Sequence, residues 1–523
     1  MQDQQYHNST HDGYRILAVS LSIAFSAIFS YYSILRYLSG DATGFDLGIY
    51  ASALYNAIHG GLFYTNLLGG SFLGNHFSPF MFILVPFFYL YPHNATILVL
   101  QGFALGMTGV PAYLVFESNA KSQEQKAIAI LFLILLEVSP ILIGPISFDF
   151  HLMVFFPVFY LTAFYYLLKG NVYKAAVFIV LSVSLHAFFS VIVAFLFISI
   201  YLQGVWSRRH GSTIFSRALS ARSLIAFLIM LGIYLILAEH VKGIISGQSI
   251  DLVNLHSLLA FIKLRYNIVF SIASLEQSLQ MKLLMVMFIV IGGLIFAIRY
   301  PILLLPLVPY IVFAFFSGNT AYFTVGYQYT AMFIPIILAG ASLALSDMLS
   351  KSVSKGRRFN SMRYGIAMIL VLLIILNFIY SPVSPEPIHI SAGNITSISS
   401  FDRNSTSVAI FAVRSYLNHS SYILLQNDVY PPFFQFRNAY LLYSYNLIGN
   451  LNDLLRQNFT YVIGDEYNTF YYQTAAVGIS MQSLIEYDLM HGYGILFDEY
   501  GIIVIERGYV GPELHLQGNR IVS

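Results

Sequence analysis

Nine apolar runs constrain this chain before anything else. They are Arg15–Tyr37, Ala95–Phe116, Ala127–Ile146, Leu152–Leu168, Ser223–His240, Leu283–Ile298, Pro301–Ser317, Gln328–Ser346 and Tyr364–Tyr380. Each is close to the roughly 20 apolar residues that carry a helix across a bilayer. Only 10% of the 523 residues are charged and 57% are hydrophobic, whereas soluble domains carry about 25% charged residues. The chain reads as a multi-spanning membrane protein. Tyr and Phe supply the interfacial aromatics, since there is one Trp. A net charge of +2 gives no basis for nucleic-acid binding, and the absence of Cys excludes disulfides, thiolate zinc sites and Cys nucleophiles. The polar head, about fourteen residues, leads into a run too long for a signal-peptide core.

Two further regions are ambiguous. Phe77–Tyr91 is short and holds Pro79 and Pro86; Tyr173–Val205 is too long for one span and is interrupted at Ser182-Val-Ser184 and His186. Cytoplasmic loops are enriched in Lys and Arg. Taking Phe77–Tyr91 as re-entrant and the second region as two helices puts fifteen basic residues inside: Arg15, Lys121, Lys126, Lys169, Lys174, Arg208, Arg209, Arg217, Arg222, Arg299, Lys351, Lys355, Arg357, Arg358 and Arg363. Five stay outside: Arg36, Lys242, Lys263, Arg265 and Lys282. The expected fold is an all-α polytopic membrane domain of about eleven spans, with a re-entrant helix in the first outer loop. A small C-terminal α/β extracytoplasmic domain follows. The expected divisions are a cytoplasmic segment 1–14, the membrane domain 15–380, a linker 381–400 and the outer domain 401–523. The N-terminus is expected in the cytoplasm of a plasma-membrane protein.

The tail carries the strand-like segments Tyr422–Gln426, Tyr461–Gly464, Tyr493–Phe497 and Ile502–Glu506, with a turn at Asp498-Glu-Tyr-Gly501 and a helical segment at Ile448–Gln457. Glycosylation sequons stand at Asn8, Asn94, Asn394, Asn404, Asn418 and Asn458, all but the first on the expected outer side. With the zero Cys count they point weakly towards an archaeal membrane.

Ionisable groups near spans tend to be paired, wet or functional. Asp46 follows the first span in a loop without Lys or Arg between Arg36 and Lys121. Leu47, Ala51, Leu54 and Ile58 have helical spacing, so Asp46 either caps an amphipathic surface helix or acts chemically. His76, Asp149 and His151 fall in outer turns and make a candidate cluster with Asp46. Asp46, Asp149 and His151 are the candidate ligands for a divalent metal ion, though their spacing fits no dedicated zinc motif; a hydrogen-bonded structural network is the alternative. His186 marks the break between two helices, either satisfied locally or lining a cavity. Lys263 and Arg265, in the loop Glu239–Lys282, either bind a lipid phosphate or anchor a surface helix. The aromatic turn Phe323–Tyr329, with Tyr322 before it, stacks on a sugar or sits in the aromatic belt.

Phe45-Asp-Leu-Gly-Ile-Tyr50, His76-Phe-Ser-Pro79, Gln101, Phe148-Asp-Phe-His151 and Tyr327-Gln-Tyr329 with Pro335 resemble an uncharacterised family of prokaryotic multi-spanning membrane proteins. That family in turn resembles the GT-C glycosyltransferases, the superfamily of protein O-mannosyltransferases, oligosaccharyltransferases and aminoarabinose transferases. The resemblance implies transfer of a sugar from a polyprenyl-phosphate donor to a glycan, lipid or protein acceptor on the outer face. It implies that Asp46 is the general base and that Asp149 assists or binds a metal. His76, His151, His186, Lys263, Arg265 and Tyr327 are then substrate-binding candidates. The family's charged pair at the helix break is replaced here by His186-Ala187, which hands phosphate binding to Lys263 or Arg265. The rival readings are a flippase for a lipid-linked sugar, which predicts intramembrane charges such as Glu137, and a non-catalytic scaffold displaying the outer domain.

Overall fold

The computed structural model describes residues 2–120, 122–210, 219–247, 276–353, 358–382 and 404–522, together with 215, 384 and 401. Lys263 and Arg265 lie outside the described residues, as do the sequon Asn394 and most of the expected linker.

Helix α1 (Gln2–Leu38) opens the membrane domain. It packs along α5 (Asn94–Gly106) and α6 (Gly109–Glu117) through small residues. Ser26 Oγ donates to Ser22 O (2.7 Å) and to Phe103 O (3.2 Å), and Ser30 Oγ repeats the pattern on Ser26 O and Val99 O. A Cβ on Gly102 or Gly106 would lie 2.4 Å from the backbone nitrogen of Ser30 or Ser26. This is small-residue packing as lipid demands, where close backbone approach replaces hydrophobic burial as the driving force.

Among the described residues, five helices are long and apolar enough to cross a membrane: Gly13–Leu38, Asn94–Glu117, Phe189–Arg209, Ala221–Ser246 and Leu279–Ala297. A sixth is bent by 53° between α7 (Gln123–Glu137) and α8 (Pro140–Ser147), where Pro140 cannot continue the helix. Shorter apolar helices cover Leu152–Leu168, Val172–Leu185, Ile334–Ser350 and Arg363–Ile379. The expected Pro301–Ser317 span is not one continuous helix. It is a 3₁₀ turn at Pro301–Leu304 followed by a nine-residue helix, Leu307–Phe315, because Pro301 and Pro306 interrupt the ladder. The lipid-facing character of Ala221–Ser246 is direct: Ile225, Ile229, Ile233 and Ile236 are all more than half exposed. By contrast, Ile334–Val353 is enclosed along most of its length.

The first outer loop folds inward. Gly44–Gly48 forms a π-turn that runs into α2 (Ile49–Ile58). Residues 49–54 are all buried, so α2 is an enclosed helix and not the amphipathic surface helix expected from its spacing. After a two-residue hairpin, β1 (Tyr64–Thr65) with β2 (Gly70–Ser71), comes α3 (Phe72–Asn75), which delivers His76. Helix α4 (Met81–Leu90) has ten residues. That is about 15 Å of helix, half the hydrocarbon thickness, so it does not cross. Its first turn is tied to the break after α10 (Val172–Leu185) by Phe80 N donating to Ser184 O (3.1 Å).

The tail forms a five-stranded sheet of order β4-β3-β5-β7-β6. Strands β3 (Tyr422–Leu425), β4 (Asn438–Leu441) and β5 (Tyr461–Asp465) are parallel; β6 (Tyr493–Glu499) and β7 (Ile502–Arg507) are antiparallel to their neighbours. The β6–β7 hairpin turns on Tyr500 and Gly501, both with positive φ (55° and 81°), as a two-residue turn matched to strand twist requires. Strand β4 and the hairpin β8 (His515–Gln517) with β9 (Arg520–Val522) are additional to the expected strands. The C-terminal domain docks on the loop leading into α5: Asn94 Nδ2 donates to Pro431 O (2.8 Å), and Gln435 Nε2 to Pro92 O (2.9 Å). Asn94 is fully buried by that contact, so this sequon is closed to modification.

Candidate functional site

The π-turn, the helix break at His186 and the aromatic turn after Ser317 converge on one cavity of about 320 Å³. Asp46, His76, His151 and His186 line it. Three members of the expected cluster, Asp46, His76 and His151, are therefore brought together, with His186 in the place expected for Asp149. The aromatic wall is Phe45, Phe188, Phe313, Tyr322 and Tyr329, with Gln328, Met153 and Met332 between them. Tyr327 is not on that wall. Its ring packs tilted against Phe148 (centroids 4.7 Å, 44° between planes), while Tyr322 and Tyr329 on either side line the cavity.

Asp46 is not the helix cap its position suggests. It sits inside the π-turn, and among the described residues nothing hydrogen-bonds its carboxyl. It is half-buried and lines the cavity. Burial, and secondarily the charge of Asp149, push its pKa up to about 8. Neighbouring Tyr50 is raised well above the ordinary phenol by burial and by Asp46, so it stays neutral. Tyr50 also packs against Phe72, Phe150 and His151.

Two of the three imidazoles have their orientation fixed by the backbone, and the third by one of those two. His151 Nδ1 accepts from Met153 N (3.2 Å), and His186 Nδ1 accepts from Phe188 N (3.1 Å). Each therefore carries its proton on Nε2 when neutral. His186 Nε2 lies 3.2 Å from His76 Nδ1, so His186 donates and His76 keeps its own proton on Nε2. Burial lowers His151 to a pKa of about 3, with His186 adding to the effect, which keeps it a neutral donor.

Asp149 behaves differently from the expectation that paired it with Asp46. It is buried outside the cavity wall, and its oxygens are already engaged. Arg36 Nη1 donates to Oδ1 at 2.6 Å, Thr43 N donates to Oδ2 at 2.9 Å, and the Thr43 hydroxyl donates to Oδ2. Arg36 also reaches Phe148 O and, at 2.6 Å, Asp41 O. This buried pair ties the end of α1 to the turn carrying Asp46, a structural position that removes Asp149 from direct contact with a cavity ligand. Among the described residues no three His, Asp or Glu side chains are grouped to hold a metal ion. The expected set Asp46, Asp149 and His151 is divided because Asp149 is spent on Arg36.

Tyr322 was read from sequence only with its aromatic turn, and Tyr50 and Gln328 only as members of the Phe45–Tyr50 and Tyr327–Tyr329 motifs; none was assigned a role of its own. A second carboxyl pair in the outer domain was also missed. Burial, then the neighbouring Asp465, raise Asp428 well above the usual carboxylate range.

Comparison with curated proteins finds no match. A family described as predicted membrane protein (DUF2079) matches residues 36–504, spanning the cavity, the helices around it and nearly all of the outer sheet. The chain belongs to this family of predicted membrane proteins, DUF2079.

Proposed function

We propose that this protein is a membrane glycosyltransferase of GT-C type, using Asp46 as general base on a polyprenyl-phosphate sugar at the outer face. The observation that carries the reading is the single carboxyl of Asp46, free of described partners in an enclosed aromatic cavity and poised near pH 8. A general base works best with a pKa close to the working pH. Aromatic faces beside neutral N–H donors suit a sugar ring.

The step balances as one displacement. The acceptor hydroxyl oxygen attacks the anomeric carbon, Asp46 takes the hydroxyl proton, and the bond from the anomeric carbon to the phosphate oxygen breaks. Polyprenyl phosphate leaves and the anomeric centre inverts. Neutral His76 and His151 hold sugar hydroxyls. In this reading the basic residues of the 239–282 loop, Lys263 and Arg265 among them, meet the phosphate. The fifteen-to-five distribution of basic residues supports a cytoplasmic N-terminus, eleven crossings and an extracytoplasmic outer domain.

The test is transfer from labelled polyprenyl-phosphate sugars in membranes carrying the protein. Wild type should give a labelled acceptor, and Asp46→Asn should give none while inserting normally. Equal transfer by both proteins would rule out Asp46 as the base.

A further inference from the structure

The turn that carries Asp46 is gripped from the outer domain. We propose that Asn427 and Tyr430 are positioning residues for Asp46, making the outer domain part of the machinery that aims the base. The inference rests on the reading of Asp46 as that base.

Asn427 takes the first two amides of the turn. Gly44 N donates to its backbone oxygen at 2.6 Å, and Phe45 N donates to its Oδ1 at 3.0 Å. Tyr430 covers the turn's other face. A Cβ on Gly44 would lie 2.7 Å from Tyr430 Cβ, and one on Gly48 would lie 2.6 Å from its Cδ1. Neither glycine has a positive φ. Their backbone conformation would tolerate any residue, so they are small because Tyr430 needs the space. Two glycines flanking the carboxylate thus record the approach of a side chain nearly four hundred residues away.

The grip is rigid behind the contact. Gln426, next to Asn427, is locked to β5: its Nε2 donates to Asp465 O (3.1 Å) and Asp465 N donates to its Oε1 (3.1 Å). Tyr430 N in turn donates to Gln426 O (3.2 Å). On the membrane side, Thr43 is held by Asp149. The wide turn is therefore clamped at its start from below and over its length from above. A π-turn is an uncommon geometry, frequent at functional sites, and here its amides are claimed by a different part of the chain.

The experiment compares Asn427→Ala, Tyr430→Ala and Tyr430→Phe in the full-length protein, each checked for insertion and thermal unfolding. Transfer kinetics are one readout. The other is infrared titration of the Asp46 carboxyl band, identified by its loss in Asp46→Asn. Asn427→Ala and Tyr430→Ala should lower kcat by roughly tenfold to a hundredfold, with KM little changed. The carboxyl midpoint should move down from about 8 as the turn loosens and water reaches it. Tyr430→Phe keeps the ring over both glycines and gives up only the hydroxyl's bond to Ser52, so it should retain most of the wild-type transfer and carboxyl midpoint. An unmoved midpoint in folded Asn427→Ala and Tyr430→Ala would overturn the proposal, as would Tyr430→Phe being impaired as severely as Tyr430→Ala. If Tyr430→Ala fails to fold, Asn427→Ala decides. If wild type transfers no sugar, the base assignment fails, while the infrared midpoint still reports whether the clamp acts on Asp46.

Discussion

Asp46 and Asp149 show how two carboxylates of similar sequence context take opposite roles. Asp149 meets Arg36 at 2.6 Å, whereas Asp46 lines the cavity and, among the described residues, has no ion-pair partner. Breaking the buried pair by Arg36→Ala leaves an uncompensated charge and should cost about 3–5 kcal/mol of stability, read as a drop in thermal midpoint. Asp46→Asn should do the reverse. Its folded pKa of about 8 lies above the unfolded value near 4, so the native state binds more protons between those limits. Stability therefore falls as pH rises from about 4 to 8, and Asn removes that fall. At pH 8 the variant should be more stable than wild type by on the order of 1 kcal/mol or more; equal melting curves at pH 5 and pH 8 would contradict the buried carboxyl. That Asp46, His76 and His151 belong together was legible because all three lie in turns between apolar runs, whereas His186 stood apart as a helix break and its place beside them was not legible. The Arg36–Asp149 pair was not, since sequence shows which charges share a side of the membrane but not which of them touch. Tyr327 was misplaced for a related reason: the turn's wall-facing residues, Tyr322 and Tyr329, depend on local rotation that composition does not encode.

At the level of elements, glycines decide how closely helices meet. Gly102 and Gly106, one turn apart on α5, accept the serine stripe of α1. Gly102→Val should destabilise the membrane domain by about 1–3 kcal/mol through overpacking, whereas Val in place of Ala at the lipid-facing position 226 should be nearly neutral. Unfolding in detergent or lipid would distinguish the two. The Gly-x-x-x-Gly spacing was present in the sequence and could have identified this contact. Helix existence was legible from apolar runs, but helix continuity was not always. Pro140 bends one run, Pro301 and Pro306 break another, and the buried face of α2 exceeds its amphipathic stripe because the outer domain covers the side expected to meet solvent. Gly44 and Gly48 belong to the same class of signal, their partner Tyr430 being invisible until the domain is docked.

For the whole molecule, the membrane domain and the outer sheet meet over the Asp46 turn, and the family match across residues 36–504 includes both. The proposed orientation is open to single-cysteine labelling, because the native chain contains no Cys. Tyr467→Cys, in the outer domain and 75% exposed, should react with a membrane-impermeant thiol reagent in intact cells. Tyr173→Cys, 91% exposed between Lys169 and Lys174, should react only after the membrane is opened. The opposite pattern would invert the topology and move the cavity to the cytoplasmic side. The α/β character of the tail was legible from alternating strand segments and the Asp498–Gly501 turn. Its sheet order and the docking that buries Asn94 arise from long-range contacts that no local pattern carries.

The most direct measurement of the central claim is the pH dependence of kcat/KM for sugar transfer. A base held near pH 8 predicts a rate that rises with pH and levels off above a midpoint of about 8, because only the ionised Asp46 can take the acceptor proton. Asp46→Asn should remove transfer across the whole range. A wild-type profile flat from pH 6 to 9, or Asp46→Asn activity following the wild-type curve, would contradict the account and leave the cavity without its proposed base.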